Sequence, residues 1–281
     1  MTVAPQDVLA EIRTLEPFPH VATRVLAVSS REDTVPSEIT EVIQSDPALT
    51  AKVLRLCNSA YYGFQREIAS LFDAGNLLGV KTLVNLVVTS CGSSYFRKYG
   101  SASTSDHEAR WKTCIVTAFA SKLLAEVHGS IDGHRAFTAG LLANIGQIVV
   151  DRFLAEHKPA LAAALDRGGS LLDSEREVFG IHHAEIGARL AIRWGFPDVL
   201  IDTIRTHHTP ERATVDPLLT SAVSVAGDIA WAIGLGDGFD GATYSASPKA
   251  YEMLRMEPGA LAEMTERIEA ELARAQDFLE A

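Results

Sequence analysis

The residues best equipped for chemistry in this chain are histidines that come in adjacent pairs. Four of the nine form the doublets His182-His183 and His207-His208. On a helix, neighbouring residues point about 100° apart, so only one member of each doublet needs to face the interior. Asp228 sits in the middle of an apolar helical run, SAVSVAGDIAWAI, where a carboxylate is costly unless paired. Imidazole and carboxylate together are the raw material of a nitrogen- and oxygen-ligated metal site. The spacing equally fits histidines placed at helix ends, where the dipole favours them, with Asp228 as a cap or an arginine partner. The other five, His20, His107, His128, His134 and His157, read as surface or cap residues.

Other chemistries are easier to set aside. No G-x-x-x-x-G-K-[ST] or strand-linked G-x-G-x-x-G occurs, and the Gly234–Gly238 run links two helices as a loop. Cys57, Cys91 and Cys114 are far apart, without a C-x-x-C pair, and read as small buried hydrophobes. With 36 acidic against 25 basic residues the net charge is −11, a field that repels a phosphate backbone, so no nucleic acid polymer is expected as a partner. Apolar runs such as 83–88 and 145–150 are too short to cross a membrane, and the first residues do not resemble a secretory signal. A cytoplasmic protein without membrane contact is the expectation.

The elements that must hold these residues are helical nearly throughout, so the fold class expected is all-α. Ile39, Val42 and Ile43 follow the start signals Pro36 and Ser37. Asp46-Pro47 caps and opens a helix carrying Leu49, Val53, Leu56 and Ala60 on one face, with Gly63 as a stop. Ser70 and Asp73 form a capping box, Gly79 is a break, and a helix runs from Lys81 to about Tyr95. The small polar run 97–106 reads as a linker, with Gly79 and Gly100 as hinges. A continuous apolar helix is expected over 136–153, then helices at 183–194, 197–207 and 216–233. Beyond the Gly234–Gly241 break comes a helical pair split at Pro258. The last apolar stripe (Leu261, Met264, Ile268, Leu272, Phe278) reads as a docking face. The units are 1–100, an N-terminal helical subdomain; 101–235, a helical core; and 236–281, a C-terminal extension.

Several of these runs resemble a known family. Ile43-Gln44-Ser45-Asp46-Pro47-Ala48-Leu49 followed by Val53 through Gly63 resembles the N-terminal signature of the HDOD (HD-related output domain) family. Residues 15–19, 77–86, 140–146, 183–187 and 193–208 add matches in the right order, and the resemblance covers about residues 10–235. It implies an N-terminal helical subdomain packed on a degenerate HD-like helical domain. In the related HD and HD-GYP phosphohydrolases, metal ions are held by an early histidine, a His-Asp doublet, later histidines and a late aspartate. Carried over, these positions fall on Thr113, on Ala143-Asn144, on His183, His207 and His208, and on Asp228. Ala143 offers no donor atom, Asn144 is neutral where a carboxylate would bind, and Thr113 is a poor ligand for a transition metal. The resemblance therefore implies a non-catalytic, stand-alone module of bacterial signal transduction without a cofactor, its partner another signalling protein or regulator. Tyr61, Tyr62 and Phe64 form an aromatic cluster suited to such a partner, or else to plugging the seam between the halves. One alternative is a sensor that binds a nucleotide or cyclic dinucleotide in the relict pocket, through Thr113, Asn144, His183, His207 and His208. Arg205, and Arg212 with it, would then meet phosphate. The other alternative is a residual metal-dependent phosphohydrolase on His183, His207, His208 and Asp228.

Overall fold

A computed structural model describes residues 3–31, 33–99, 104–234, 244–257 and 259–281. Among them every regular element is a helix. Local chemistry accounts for most starts. Asp46 accepts a hydrogen bond from the Leu49 amide at 3.0 Å and opens α4 (Pro47–Cys57) behind α3 (Pro36–Gln44). Ser70 caps α5 (Leu71–Leu78) by accepting from the Asp73 amide at 3.1 Å. Gly79, at φ +81°, then turns the chain into α6 (Val80–Tyr99). Because α6 runs to Tyr99 and α7 (Thr104–His128) begins at Thr104, helix takes both ends of the expected linker. Its remnant 100–103, including the hinge candidate Gly100, lies outside the described residues.

Helix α4 stops at Cys57, before Ala60. The Asn58 side chain donates to the Leu54 carbonyl (2.9 Å) and exchanges two hydrogen bonds with the backbone of Ile68. Those bonds fold 59–67 into a loop, and Ala60 is exposed.

In the N-terminal part, α2 (His20–Ser29), α3, α4 and α5 gather around α6. Helix α1 (Pro5–Thr14) packs on the later helices α9 (Gln147–Leu165) and α11 (His183–Arg193). Phe18 follows it, stacked on Trp194 with centroids 5.5 Å apart. The long α7 is the axis of the second half. Against it lie α8 (Gly133–Leu142), α13 (Pro217–Ala232), α15 (Ala260–Leu272) and the short α16 (Gln276–Leu279). Met264, Ile268, Leu272 and Phe278 are buried, so the apolar stripe is a docking face within the molecule; Phe278 reaches it from α16. Pro258, the expected split before α15, lies outside the described residues. Helix α10 (Leu171–Phe179) packs on α9, and α12 (Asp198–Thr206) packs on α11. No described helix is long and apolar enough to cross a membrane. All three cysteines are buried, and burial pushes the thiols of Cys57 and Cys91 up to about 12.

The apolar run 136–153 is not one helix. Helix α8 ends at Leu142 and α9 starts at Gln147. The cause is tertiary. A Cβ on Gly146 would lie 2.0 Å from the His183 carbonyl oxygen and 2.5 Å from the Gly187 amide nitrogen. The 143–146 turn is thus pressed backbone to backbone on the first turn of α11, an approach open to glycine alone.

Candidate functional site

That contact delivers the Ala143-Asn144 turn to the start of α11, where one histidine doublet divides its labour. His182 is the N-cap of α11, its Nδ1 accepting from the Glu185 amide at 3.2 Å. His183 turns inward and is fully buried. A Glu175 oxygen accepts from both the backbone amide and Nδ1 of His183, each at 2.8 Å. With the Nδ1 proton so held, the Nε2 lone pair of His183 faces the second doublet. His208 Nε2 stands 2.9 Å from it, close enough for the two nitrogens to share one proton. His207 donates from Nδ1 to the Ile204 carbonyl at 2.9 Å, leaving its Nε2 buried without a hydrogen-bond partner among the described residues.

His183, His207 and His208 therefore present ligand nitrogens all within 4.8 Å of one another. Burial, followed by the neighbouring His183, pulls His207 down to about 3. Burial and then His207 hold His208 well below the ordinary histidine value. Burial brings His182 to about 4. His182, His207 and His208 are thereby neutral at pH 7, the form that binds metals. The cluster's rings are fixed from behind by a carboxylate and a carbonyl, the usual outer partners of metal-bound imidazoles.

Asp228 is not a member of this group. Its carboxylate accepts from the Ala246 amide at 3.0 and 3.1 Å and from the Tyr251 hydroxyl at 2.5 Å. Burial raises its pKa. Next to it, a Cβ on Gly227 would meet the Tyr244 ring at 2.3 Å. Tyr244 lies against His208 with centroids 5.2 Å apart and donates to the Ser224 carbonyl at 2.6 Å. Gly227 and Asp228 thus anchor the returning 244–251 segment. The sequence expectation that Asp228 joins the histidines is corrected by this pairing: the carboxylate is spent on a backbone amide and a phenol.

The remaining candidates are spread out. Thr113 is half-buried on α7 and donates back to the Ala109 carbonyl at 3.0 Å. Ala143 is buried and Asn144 half-buried in the turn. Arg205 and Arg212 are exposed. Of the aromatic trio, Tyr61 and Tyr62 turn into the seam between the halves. Tyr61 packs edge-on against Phe119 (5.3 Å) and Phe278 (5.5 Å), and its hydroxyl donates to Glu271 at 2.7 Å. Phe64 remains exposed.

Sequence reading passed over two residues that matter here. Glu175 shares the buried face of α10 with Leu171, Ser174, Val178 and Phe179, and a carboxylate at an inward helical position was its available signal. His134, read as a surface or cap residue, is half-buried and 3.3 Å from Asn85.

An all-helical chain with a histidine cluster at a helix start, opposite the Ala143-Asn144 turn, has the build of an HD-related module. The HDOD domain family model matches residues 15–210, and the chain belongs to that family. An uncharacterized protein of Treponema pallidum (strain Nichols) is 29% identical over 220 residues, 74% of this chain and 41% of that protein; the chain spans about two fifths of that relative's length. Among solved structures, an HDOD domain protein of unknown function from Geobacter sulfurreducens superposes with a TM-score of 0.76 at 23% identity, covering 99% of this chain and 95% of that one. A Shewanella amazonensis SB2B protein, provisionally named a phosphohydrolase, gives 0.73 at 25% identity, with 97% of each chain covered. One from Marinobacter aquaeolei VT8, provisionally named a signal transduction protein, gives 0.73 at 22% identity and covers 98% of this chain and 66% of its own.

Proposed function

We propose that this chain is a regulatory module of signal transduction that works by binding another protein, without hydrolytic chemistry of its own. One observation carries the reading. Among the described residues no carboxylate shares the ligand face of the three histidines: Glu175 holds His183 from behind, Ala143 has no donor, Asn144 is neutral, and Asp228 is held by Ala246 and Tyr251. Activating water on a phosphodiester needs a firmly held cation with an open position, and a set without a carboxylate ligand holds the oxygen-seeking ions magnesium and manganese weakly. With Tyr61 and Tyr62 engaged in the seam, the large apolar side chains that the N-terminal half leaves for a partner are Val35, Phe64, Phe72 and Leu77, each at least 40% exposed.

A second reading, in which a metal ion is retained, rests on the buried and unpartnered Nε2 of His207. Three imidazoles are a set that zinc accepts, with nitrogens about 3.3 Å apart around a tetrahedral ion, and His183, His207 and His208 would hold it. Such an ion, when bound, supplies Lewis acidity at an open position. Elemental analysis of protein purified without chelators, with turnover of bis(p-nitrophenyl) phosphate and of a cyclic dinucleotide in added zinc or manganese, separates the readings. The expected result is no turnover. Metal without turnover adds an ion to the binding module. Turnover that disappears in His207→Ala overturns the non-catalytic reading.

A further inference from the structure

A second site lies away from the histidine cluster. Between α2 and α6 on one side and α8 and α12 on the other is a cavity of about 370 Å³, at the small end of the range that ligand pockets occupy. Its walls come from both halves of the molecule. Leu26, Val84 and Leu200, all buried, give it an apolar floor.

One wall is a hydrogen-bonded relay. Thr138 donates to Asn85 Oδ1 at 2.9 Å, which turns the Asn85 amide nitrogen toward His134 Nδ1, 3.3 Å away. Asn85 therefore donates to Nδ1, and the His134 proton sits on Nε2. Burial lowers the pKa of His134, with Lys122 next in effect, so the ring is neutral. Its Nε2–H has no protein acceptor among the described residues and is available to a ligand oxygen or nitrogen.

The mouth reverses the charge of the protein. The chain carries −11 overall, yet Arg31, Lys81 and Arg135 line this cavity with Asp132 as the one acidic residue among the described ones. Asp132 is already satisfied. It caps α8 by accepting from the amides of His134 and Arg135 at 3.0 and 3.1 Å, and Lys81 neutralises it at 2.6 Å. The helix start is thus closed by the protein's own carboxylate. Arg31 is shared with Asp33 and Glu38, whereas the exposed Arg135 side chain makes no ion pair among the described residues. Arg135 is thus the lining cation left without an acidic partner among the described residues.

We infer that this inter-half cavity binds a small phosphate ester, its phosphate met by Arg135, Lys81 and Arg31 and its carrier group laid on the apolar floor, accepting a hydrogen bond from His134. Guanidinium forks match phosphate oxygens in charge and geometry. The volume suits a molecule the size of a nucleoside monophosphate better than a cyclic dinucleotide. Because α2 and α6 contribute one side and α8 and α12 the other, such a ligand ties the two halves together. That gives the module a small-molecule input separate from the histidine cluster and independent of its chemistry.

Isothermal titration calorimetry of the full chain with AMP, with inorganic phosphate as the carrier-free comparison, tests this. AMP is expected to bind saturably and more tightly than inorganic phosphate. Arg135→Ala and Lys81→Ala, both at exposed positions that leave the core intact, should each weaken AMP about tenfold or more. His208→Ala, in the other site, should leave the affinity unchanged. Absence of saturable heat from either probe at millimolar concentration overturns the inference. So does AMP binding that survives in the Arg135→Ala/Lys81→Ala double variant, or that is lost in His208→Ala.

Discussion

Adding a single methyl group at position 146 should cost this protein most of a helix contact. Gly146 has φ −69°, so alanine fits the backbone there. At a compatible site that exchange ordinarily stabilises by about 0.4–1 kcal/mol through the unfolded chain. Here the sign reverses. The new Cβ would stand 2.0 Å from the His183 carbonyl oxygen and 2.5 Å from the Gly187 amide nitrogen. Carbon and carbonyl oxygen approach to about 3.3 Å even in favourable contacts, so the turn and α11 must separate by roughly 1.3 Å. Neither clashing atom belongs to a side chain that can swing away. Overpacking of this kind costs about 1–3 kcal/mol, and two rigid clashes put Gly146→Ala near the top of that range. For a chain somewhat larger than the sizes with known scaling, about 3 kcal/mol is a fall in Tm of roughly 6–12 °C. Urea unfolding followed by circular dichroism reads the free energy directly. A Gly146→Ala/Gly187→Ala double variant should be less destabilised than the sum of the singles, because parting the turn from α11 also relieves the Gly187 methyl's contacts with Gly146 and Ile145 (3.2 and 3.3 Å), though not the one with Ile204 at 2.8 Å. A Gly146→Ala midpoint equal to or above that of the parent refutes the close-approach argument.

Acid should unfold the protein earlier than its carboxylates alone require. Burial holds His182 at about 4 and His207 at about 3 in the folded chain, against about 6.5 when unfolded. Stability is whole above 6.5 and falls as pH drops toward those values, because only the unfolded chain takes up the protons, at up to about 1.4 kcal/mol per pH unit for each histidine. Urea midpoints that stay level between pH 7 and pH 5, or a slope unchanged in His207→Gln, would contradict this. Tyr251→Phe removes the hydroxyl that donates to Asp228 and should cost about 1.5–3 kcal/mol; proteolysis of the 244–251 segment should quicken with it, and an unchanged cleavage rate would deny Asp228 its anchoring role. Arg110 and Asp151 pair at 2.6 Å with side chains 10% and 1% exposed, tying α7 to α9. Arg110→Met takes the guanidinium partner from a buried carboxylate and should destabilise by about 3–5 kcal/mol in the same urea assay, whereas a loss under 1 kcal/mol would deny the pair its tie between α7 and α9.

Much of the fold is legible in the sequence because its causes are local. The caps at Asp46 and Ser70 act on amides three residues away, and the 3.6-residue period names the buried faces of α3, α4 and α15. The motif matches placed His183, His207 and His208 in one family pattern, and geometry brings those three together. The rest depends on contacts that no local rule contains. The break between α8 and α9 exists because Gly146 meets the backbone of a helix some 40 residues further on; its own neighbours would have continued the helix. Asp228 leaves the histidines because an amide 18 residues away and a phenol 23 residues away reach its carboxylate. Glu175 enters the site because the chain reverses between α10 and α11 and aims its oxygen at His183. The cavity with its relay from Thr138 through Asn85 to His134 is assembled from four helices. Sequence determined which side chains seek the interior, since that follows from each residue and its near neighbours; which buried groups meet there was decided by packing, since a hydrogen bond or a clash is set by a distance in space.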